Sequence, residues 1–188
     1  MVDTSRLDKW LKDHVCGDVK VELRDCFCYF YNEKVIAIPV MEYDDDAVNE
    51  ALFIESVRRA GLRADYSQVP YLAISMLHEI GHHMTFHFYN EEDVAEYELE
   101  EGRIRNIIQI ENVDSEAYKT AQFEYFNLPI ELDATIWAVE FANDYPNFVW
   151  ELEDILGNLI EEGLKDWDTL VNLYSIFFME EEKDENLE

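Results

Sequence analysis

The sequence predicts an α+β fold: a small N-terminal sheet, antiparallel or mixed, packs on a central helix and precedes a mainly helical C-terminal half. Two observations carry this prediction. Three early runs, at residues 19–23, 26–31 and 35–41, are rich in Val, Ile, Cys and aromatic residues, a composition typical of strands. After residue 67 the apolar residues recur mostly at helical spacing.

The N-terminal elements follow from local patterns. Residues 4–14 predict a short amphipathic helix, because Leu7, Trp10 and Leu11 share one side. The stretch Asn32-Glu33-Lys34 favours a hairpin between the second and third strands. An acidic break at 44–46 then precedes a helix over 47–60, which Gly61 closes.

The next predicted helix is nearly all apolar before His78, and we expect it to be buried at the centre of the fold. Ser67 can cap it, and Pro70 lies in its first turn, where a missing N–H costs little. The helix is expected to end near residues 87–88. Gly81 inside it costs about 1 kcal/mol relative to Ala. We therefore expect that a side chain at this position would crowd a backbone or ligand packed nearby.

The C-terminal half is predicted to be helical. Residues 91–101 are dense in acid and indicate a solvated helix or an excursion over a functional site, whereas 103–112 fit a strand or a helix. Further helices are predicted at 115–125, at 127–143 with Asn127 as cap and Pro129 in the first turn, at 148–163 and at 166–179. Residues 1–180 are thus expected to form one domain, and 181–188 an acidic tail.

The charge of the chain is strongly negative. Asp and Glu number 43 against 14 Lys and Arg, a formal net charge of −29. Such a surface repels phosphate backbones, which argues against direct nucleic-acid binding. It favours a basic protein partner or mimicry of DNA, although a merely solvated surface is the simpler interpretation. No membrane-spanning run is expected.

The three cysteines are Cys16, Cys26 and Cys28. Their odd number, without a secretory signal, predicts a reducing, cytoplasmic location. Cys26 and Cys28 would share one face of a strand. Small buried apolar residues are the favoured interpretation over a metal role.

The segment His78-Glu79-Ile80-Gly81-His82-His83 contains the pattern H-E-x-x-H. Histidines four apart project from one face of a helix, so a single Zn²⁺ can take a nitrogen from each. The adjacent Glu79 is then placed to accept a proton from an attacking water. The pattern is short and occurs by chance, but here charged residues interrupt an apolar helix. We therefore predict a zinc site.

A catalytic zinc needs a third protein ligand besides His78 and His82. His87, five residues beyond His82, lies on the wrong face of the helix, so a carboxylate on a second helix is expected. Glu131 begins the pattern E-x-x-A-x-x-W-A, whose two alanines, four apart, let a neighbouring helix come close. Asp133 is the alternative, either as the ligand or as a hydrogen-bond partner of a ligand imidazole. Glu131 itself could instead be a first-turn acid that answers the helix dipole.

Together, HEIGHH and E-x-x-A-x-x-W-A resemble the motifs of the gluzincin metallopeptidases of the ImmA/IrrE type over roughly residues 67–142. The resemblance implies a zincin-like fold, with His78, His82 and Glu131 as zinc ligands and Glu79 as catalytic base. It also implies a phage or mobile-element origin, where small zincins of this kind are common. Two departures stand out: 49 positions separate His82 from Glu131, and Thr135 stands where related zincins often carry Asp or Asn.

The expected chemistry is zinc-dependent hydrolysis of a peptide or protein substrate, with Glu79 passing a proton from water to the leaving amine. The oxyanion could be stabilised by His83, His87 or Tyr125. The strand at residues 35–40 is predicted to be a sheet edge that holds an extended peptide.

Two other interpretations stand beside this one. In the first, the chain is an interaction protein on a zincin fold whose acidic surface binds a basic partner or mimics DNA. In the second, a structural zinc supports no turnover, although a structural site has no need of Glu79.

Overall fold

The computed structural model describes residues 3–15, 18–24, 27–39, 47–63, 66 and 68–184; for residue 47 and for 166–184 it describes the backbone. Within these ranges three strands and a short 3-10 helix accompany seven α-helices, a mixed α+β architecture. In chain order the elements are α1 (Ser5–His14), β1 (Lys20–Arg24), β2 (Cys28–Phe30), β3 (Val35–Pro39), α2 (Ala47–Arg59), α3 (Tyr71–Thr85), the 3-10 helix (Phe86–Phe88), α4 (Glu91–Ile110), α5 (Glu116–Phe126), α6 (Pro129–Asp144) and α7 (Pro146–Asp184).

The sheet is mixed, with strand order β1-β3-β2. β3 pairs in parallel with β1 and antiparallel with β2, and the predicted hairpin between β2 and β3 is confirmed. The prediction that residues 35–40 form a sheet edge is wrong: β3 is the central strand, with all five residues buried. Its unbroken apolar run is typical of a strand covered on both faces. Residue 40 lies outside the described ranges.

The edge strand nearest the central helix is β2. The backbone N–H of Tyr29 donates to the Glu79 carboxylate, and the Tyr29 hydroxyl lies 2.8 Å from Nδ1 of His83. Two bonds from one residue therefore hold this short strand against α3.

The core lies where α3 packs on α6, with α7 and the sheet closing around it. The predicted reason for Gly81 is confirmed. A Cβ built on Gly81 would lie 2.4 Å from the carbonyl oxygen of Ala134, so the two helix backbones are in direct contact there. Ala134 and Ala138 are fully buried, as their helical spacing predicts.

The start of α3 is capped from a distance. The predicted cap, Ser67, lies outside the described residues, and Pro70 occupies the N-cap position. Glu153 of α7 accepts the backbone N–H of Ala73 at 2.7 Å. This contact satisfies one of the N–H groups that have no partner within the helix at its start, and it joins two residues 80 positions apart in the sequence.

Most predicted helices are confirmed. Gly61 follows α2, as predicted, and at φ 102° it has the left-handed conformation that glycine favours. Two predictions are corrected. Asn127 is not the cap of α6: it ends α5 and donates its side-chain amide to the Phe123 carbonyl, while Leu128 precedes Pro129 at the start of α6. The two helices predicted at 148–163 and 166–179 are one helix, α7, because no proline follows Pro146 to interrupt it.

The acid-rich segment after residue 90 is a regular helix. α4 begins with a capping box between Asn90 and Asp93 and continues through residue 110, so the ambiguous stretch at 103–112 is mostly helical. α4 packs against α5, and the pair accounts for most of the long separation between His82 and Glu131. In the described part of the chain, no helix is long and apolar enough to cross a membrane.

Replacing Gly81 by Ala tests the close approach of α3 and α6. The added methyl group collides with backbone rather than with a flexible side chain, so we expect Gly81→Ala to destabilise the protein by about 3 kcal/mol or more in urea unfolding. Gly102→Ala in α4 is the matched control, because its Cβ meets nothing within 4 Å. The control is expected to gain up to about 1 kcal/mol. Equal unfolding midpoints for Gly81→Ala and wild type would contradict this packing.

Candidate metal centre

Three of the predicted ligands meet at the interface of α3 and α6. His78, His82 and Glu131 each offer one ligand atom, and these atoms all lie within 4.8 Å of one another. Oε2 of Glu131 is 3.1 Å from Nε2 of His78 and 3.4 Å from Nε2 of His82. Two imidazoles and a carboxylate form a donor set that suits Zn²⁺ with one further position left for water.

The electrostatics of the cluster favour a cation. Burial raises the pKa of the Glu131 carboxyl, but His82 and His78 outweigh it and hold that pKa well below its ordinary value. Burial lowers the pKa of His82, but the Glu131 carboxylate reverses this and leaves that pKa raised. The buried Glu131 carboxylate therefore favours a positive charge beside it, on His82 or on a bound divalent cation.

The second carboxylate oxygen of Glu131, Oε1, accepts hydrogen bonds from two tyrosine hydroxyls. Tyr97 of α4 and Tyr125 of α5 both donate to Oε1, Tyr125 at 3.0 Å. Burial, followed by the charge of Glu131, raises the pKa of both tyrosines, so both remain proton donors. Because Oε1 is occupied in this way, Oε2 is the oxygen presented to the two histidines.

Thr135 fixes the tautomer of His78. Its hydroxyl donates to the Glu131 backbone carbonyl at 2.9 Å, so it can only accept at Nδ1 of His78, 3.1 Å away. Nδ1 must then carry the hydrogen. Nε2 is then the nitrogen that faces Glu131 and that a bound metal would take.

Glu79 faces the same region without belonging to the ligand cluster. It follows His78 on α3 and, together with it, lines a cavity of about 530 Å³. Burial raises the pKa of its carboxyl, an effect that His78 and His82 partly oppose. The backbone N–H of Tyr29 orients this carboxylate. Glu79 is thus an oriented carboxylate with a strengthened affinity for a proton.

The alternative ligand is directed elsewhere. The Asp133 carboxylate accepts the Tyr89 hydroxyl at 2.6 Å on the exposed side of α6 and is not part of the ligand cluster. Among the predicted oxyanion donors, His83 is bound between Tyr29 and Asp18, and His87 is exposed against Phe88. Tyr125 alone of the three lines the cavity.

The cysteines do not enter this centre as far as the structure describes them. Cys28 is a partly buried residue of β2, and its thiol lies 3.9 Å from the Tyr29 carbonyl oxygen. Cys16 and Cys26 lie outside the described ranges. The metal cluster found among the described residues contains only histidine and glutamate.

The sequence interpretation missed Tyr97 and Tyr29. Tyr97 sits in an acidic helix and Tyr29 in a short strand, so neither carries a local signature. Only the 49 positions between His82 and Glu131 indicated that additional structure would pass over the centre.

Removing the Thr135 hydroxyl tests its role as a positioning group. Thr135→Val keeps the shape but loses the acceptor at Nδ1 of His78, so we expect zinc affinity to fall about 10–100-fold. Thr135→Ser keeps the hydroxyl and should bind zinc as wild type does. Competition titration against a chromogenic chelator measures both. Unchanged affinity in Thr135→Val would show that the hydroxyl does not orient the imidazole.

Neutralising Glu131 tests the third ligand. Glu131→Gln keeps the volume and an oxygen acceptor for the two tyrosines but removes the charge, so we expect stoichiometric zinc in wild type and little in the variant after dialysis. Asp133→Asn is the matched control on the same helix and should keep its zinc. Elemental analysis gives the result, and the opposite pattern would make Asp133 the ligand.

Comparison with protein-family models, with curated proteins and with solved structures found no match for this chain. The donor set, its burial and hydrogen bonds, and the cavity beside Glu79 are the features of this chain that bear on its function.

Proposed function

We propose that the chain is a zinc-dependent metallopeptidase of gluzincin type that hydrolyses peptide bonds, with Glu79 as general base. The observation that carries the proposal is that a set of metal-binding side chains lies beside a carboxylate that does not belong to it. His78, His82 and Glu131 form a buried donor set, and Glu79, next to His78 on α3, faces an open cavity instead of joining that set. A purely structural site has no use for this fourth group.

His78, His82 and Glu131 would hold the zinc. When bound, Zn²⁺ supplies a Lewis acid that polarises a carbonyl and makes water a nucleophile near neutral pH. Glu79 takes a proton from the attacking water and delivers it to the leaving amine. Its pKa, raised by burial, improves the match between this base and a neutral operating pH.

The peptide substrate is expected to lie along β2. This strand is an edge of the sheet within the described residues, and the outward backbone N–H of Tyr29 already reaches Glu79. An extended chain added to this edge would pass directly by the general base. β2 thus takes the role that the sequence assigned to residues 35–40.

Tyr125 is the residue best placed to stabilise a developing oxyanion. It lines the cavity together with Glu79, and its hydroxyl lies 3.4 Å from the Arg105 guanidinium. In this structure its hydrogen is donated to Glu131. A shift of that hydrogen bond toward the substrate would place a donor where negative charge forms.

The alternative is an interaction protein whose acidic surface binds a basic partner. The observation in its favour is the exposed acid on the first two turns of α4, where Glu91, Glu92, Asp93 and Glu96 are all exposed. Binding of this kind would weaken steeply with salt. It would also be indifferent to Glu79→Gln, and that indifference separates it from catalysis.

Glu79→Gln tests the general base. The substitution is nearly isosteric and leaves the three ligands in place, so we expect full zinc content with hydrolysis reduced at least about 1,000-fold. Fluorescent unfolded casein and an internally quenched peptide library serve as substrates. Glu140→Gln, exposed on α6, is the matched control and should retain wild-type turnover. Equal cleavage by Glu79→Gln and wild type would overturn the mechanism.

A further inference from the structure

The segment HEIGHH contains two pairs of polar side chains that are four positions apart. Residues at this spacing lie on one face of a helix. The first pair, His78 and His82, faces α6 and belongs to the metal cluster. The second pair is Glu79 and His83, and both of these residues contact Tyr29 of β2. α3 therefore presents one face to the metal cluster and the adjoining face to the edge strand.

Tyr29 is attached to this second face of α3 at two points. Its backbone N–H donates to the Glu79 carboxylate, and its hydroxyl lies 2.8 Å from Nδ1 of His83, about one turn further along the helix. The Tyr29 and His83 rings meet edge to face, with their centroids 5.5 Å apart. Because β2 pairs with β3 over three residues, these contacts with α3 contribute much of what fixes the strand beside Glu79.

The His83 imidazole is also bound on its other side. Its Nε2 lies 3.3 Å from Oδ1 of Asp18, and Oδ2 of Asp18 accepts the Lys34 ammonium at 2.8 Å. The hydrogen bond from Lys34 holds the pKa of the Asp18 carboxyl below its ordinary value, so this carboxylate is an acceptor. Nε2 of His83 must then donate. In the neutral ring Nδ1 is left to accept the hydrogen bond from the Tyr29 hydroxyl.

These contacts join three parts of the fold at one imidazole. Asp18 precedes β1, Lys34 lies in the turn between β2 and β3, and His83 lies on α3. The His83 side chain is 11% exposed, so water competes little for its hydrogen bonds. A substitution at His83 would therefore release β2 from α3 without removing a ligand of the metal cluster.

We propose that His83 is a positioning residue for the general base: it binds the Tyr29 hydroxyl and so fixes β2, and the backbone N–H of Tyr29 fixes the Glu79 carboxylate. The inference rests on the proposed peptidase function and adds a residue that touches neither metal nor substrate. It replaces the prediction that His83 stabilises the oxyanion, because both ring nitrogens are engaged and His83 does not line the cavity beside Glu79.

Amide hydrogen exchange tests this attachment without reference to activity. The Tyr29 N–H lies on the side of β2 that no described strand covers, so its protection depends on the bond to Glu79. We expect slow exchange in wild type and exchange about ten-fold faster or more in Tyr29→Phe and in His83→Phe, measured by two-dimensional NMR. Tyr31→Phe is the matched control and should exchange as wild type does, because the Tyr31 ring stacks on Phe86 and its hydroxyl has no hydrogen-bond partner among the described residues.

Kinetics with the internally quenched peptides test the link to catalysis. Tyr29→Phe and His83→Phe break the same hydrogen bond, so kcat per bound zinc should fall about ten-fold in each variant and no further in the double variant. KM should stay within about two-fold, because the general base acts after the substrate is bound. His83→Gln should restore most of kcat, since its amide can accept from Tyr29 and donate to Asp18. If His83→Phe does not fold, Tyr29→Phe breaks the bond from the other side.

The two measurements separate this proposal from the proposed function. Fast Tyr29 exchange in wild type, or exchange that His83→Phe leaves unchanged, overturns the attachment whether or not peptides are cleaved. Faster exchange with unchanged kcat, or losses that multiply in the double variant, overturns the positioning role and leaves the peptidase standing. Protection that depends on His83 in a protein that cleaves no peptide overturns the peptidase and supports the attachment of β2 to Glu79.

Discussion

The structure depends on the direct backbone contact between α3 and α6. At Gly81 the two helices approach until no side chain fits between them, and a Cβ there would lie 2.4 Å from the Ala134 carbonyl. Ala134 and Ala138 extend the same close face along α6. This approach brings Glu131, one turn before Ala134, opposite His78 and His82. A bulkier interface would separate the carboxylate from the imidazoles and remove the contacts of His78 with Glu131 and Thr135.

The rest of the fold fixes the orientation of these groups. Thr135 sets the hydrogen of His78, the phenols of Tyr97 and Tyr125 occupy one oxygen of Glu131, and β2 contributes a backbone N–H to Glu79. Groups from three helices and one edge strand thus contact the centre. α6 and β2 bind His78 and Glu79 of α3, and α4 and α5 bind the Glu131 carboxylate. For the proposed function, such an arrangement would reduce the rearrangement that a bound cation and a substrate require. Helices α4 and α5, which lie between the two motifs, therefore supply hydrogen bonds to the centre.

The sequence predicted the parts of this centre that are local. Helical spacing placed His78 and His82 on one face, and Gly81 and the two alanines indicated a close helix contact before its geometry was known. Strand order, by contrast, depends on backbone pairing between segments that are distant in sequence. The central position of β3 could therefore be inferred only from its unbroken apolar run. The bond from Glu153 to the start of α3 spans 80 residues, and the contact of Tyr97 with Glu131 spans 34. Contacts at that separation leave no periodic trace in a single sequence.

We propose that His78, His82 and Glu131 together hold one zinc ion. Crystals grown with zinc and measured at the zinc absorption edge test it most directly, because anomalous scattering locates the ion without reference to activity. We expect a single strong peak about 2.0–2.2 Å from Nε2 of both histidines and from Oε2 of Glu131. A peak only at the exposed acids of α4, with the Glu131 carboxylate still hydrogen-bonded directly to His78, would contradict it.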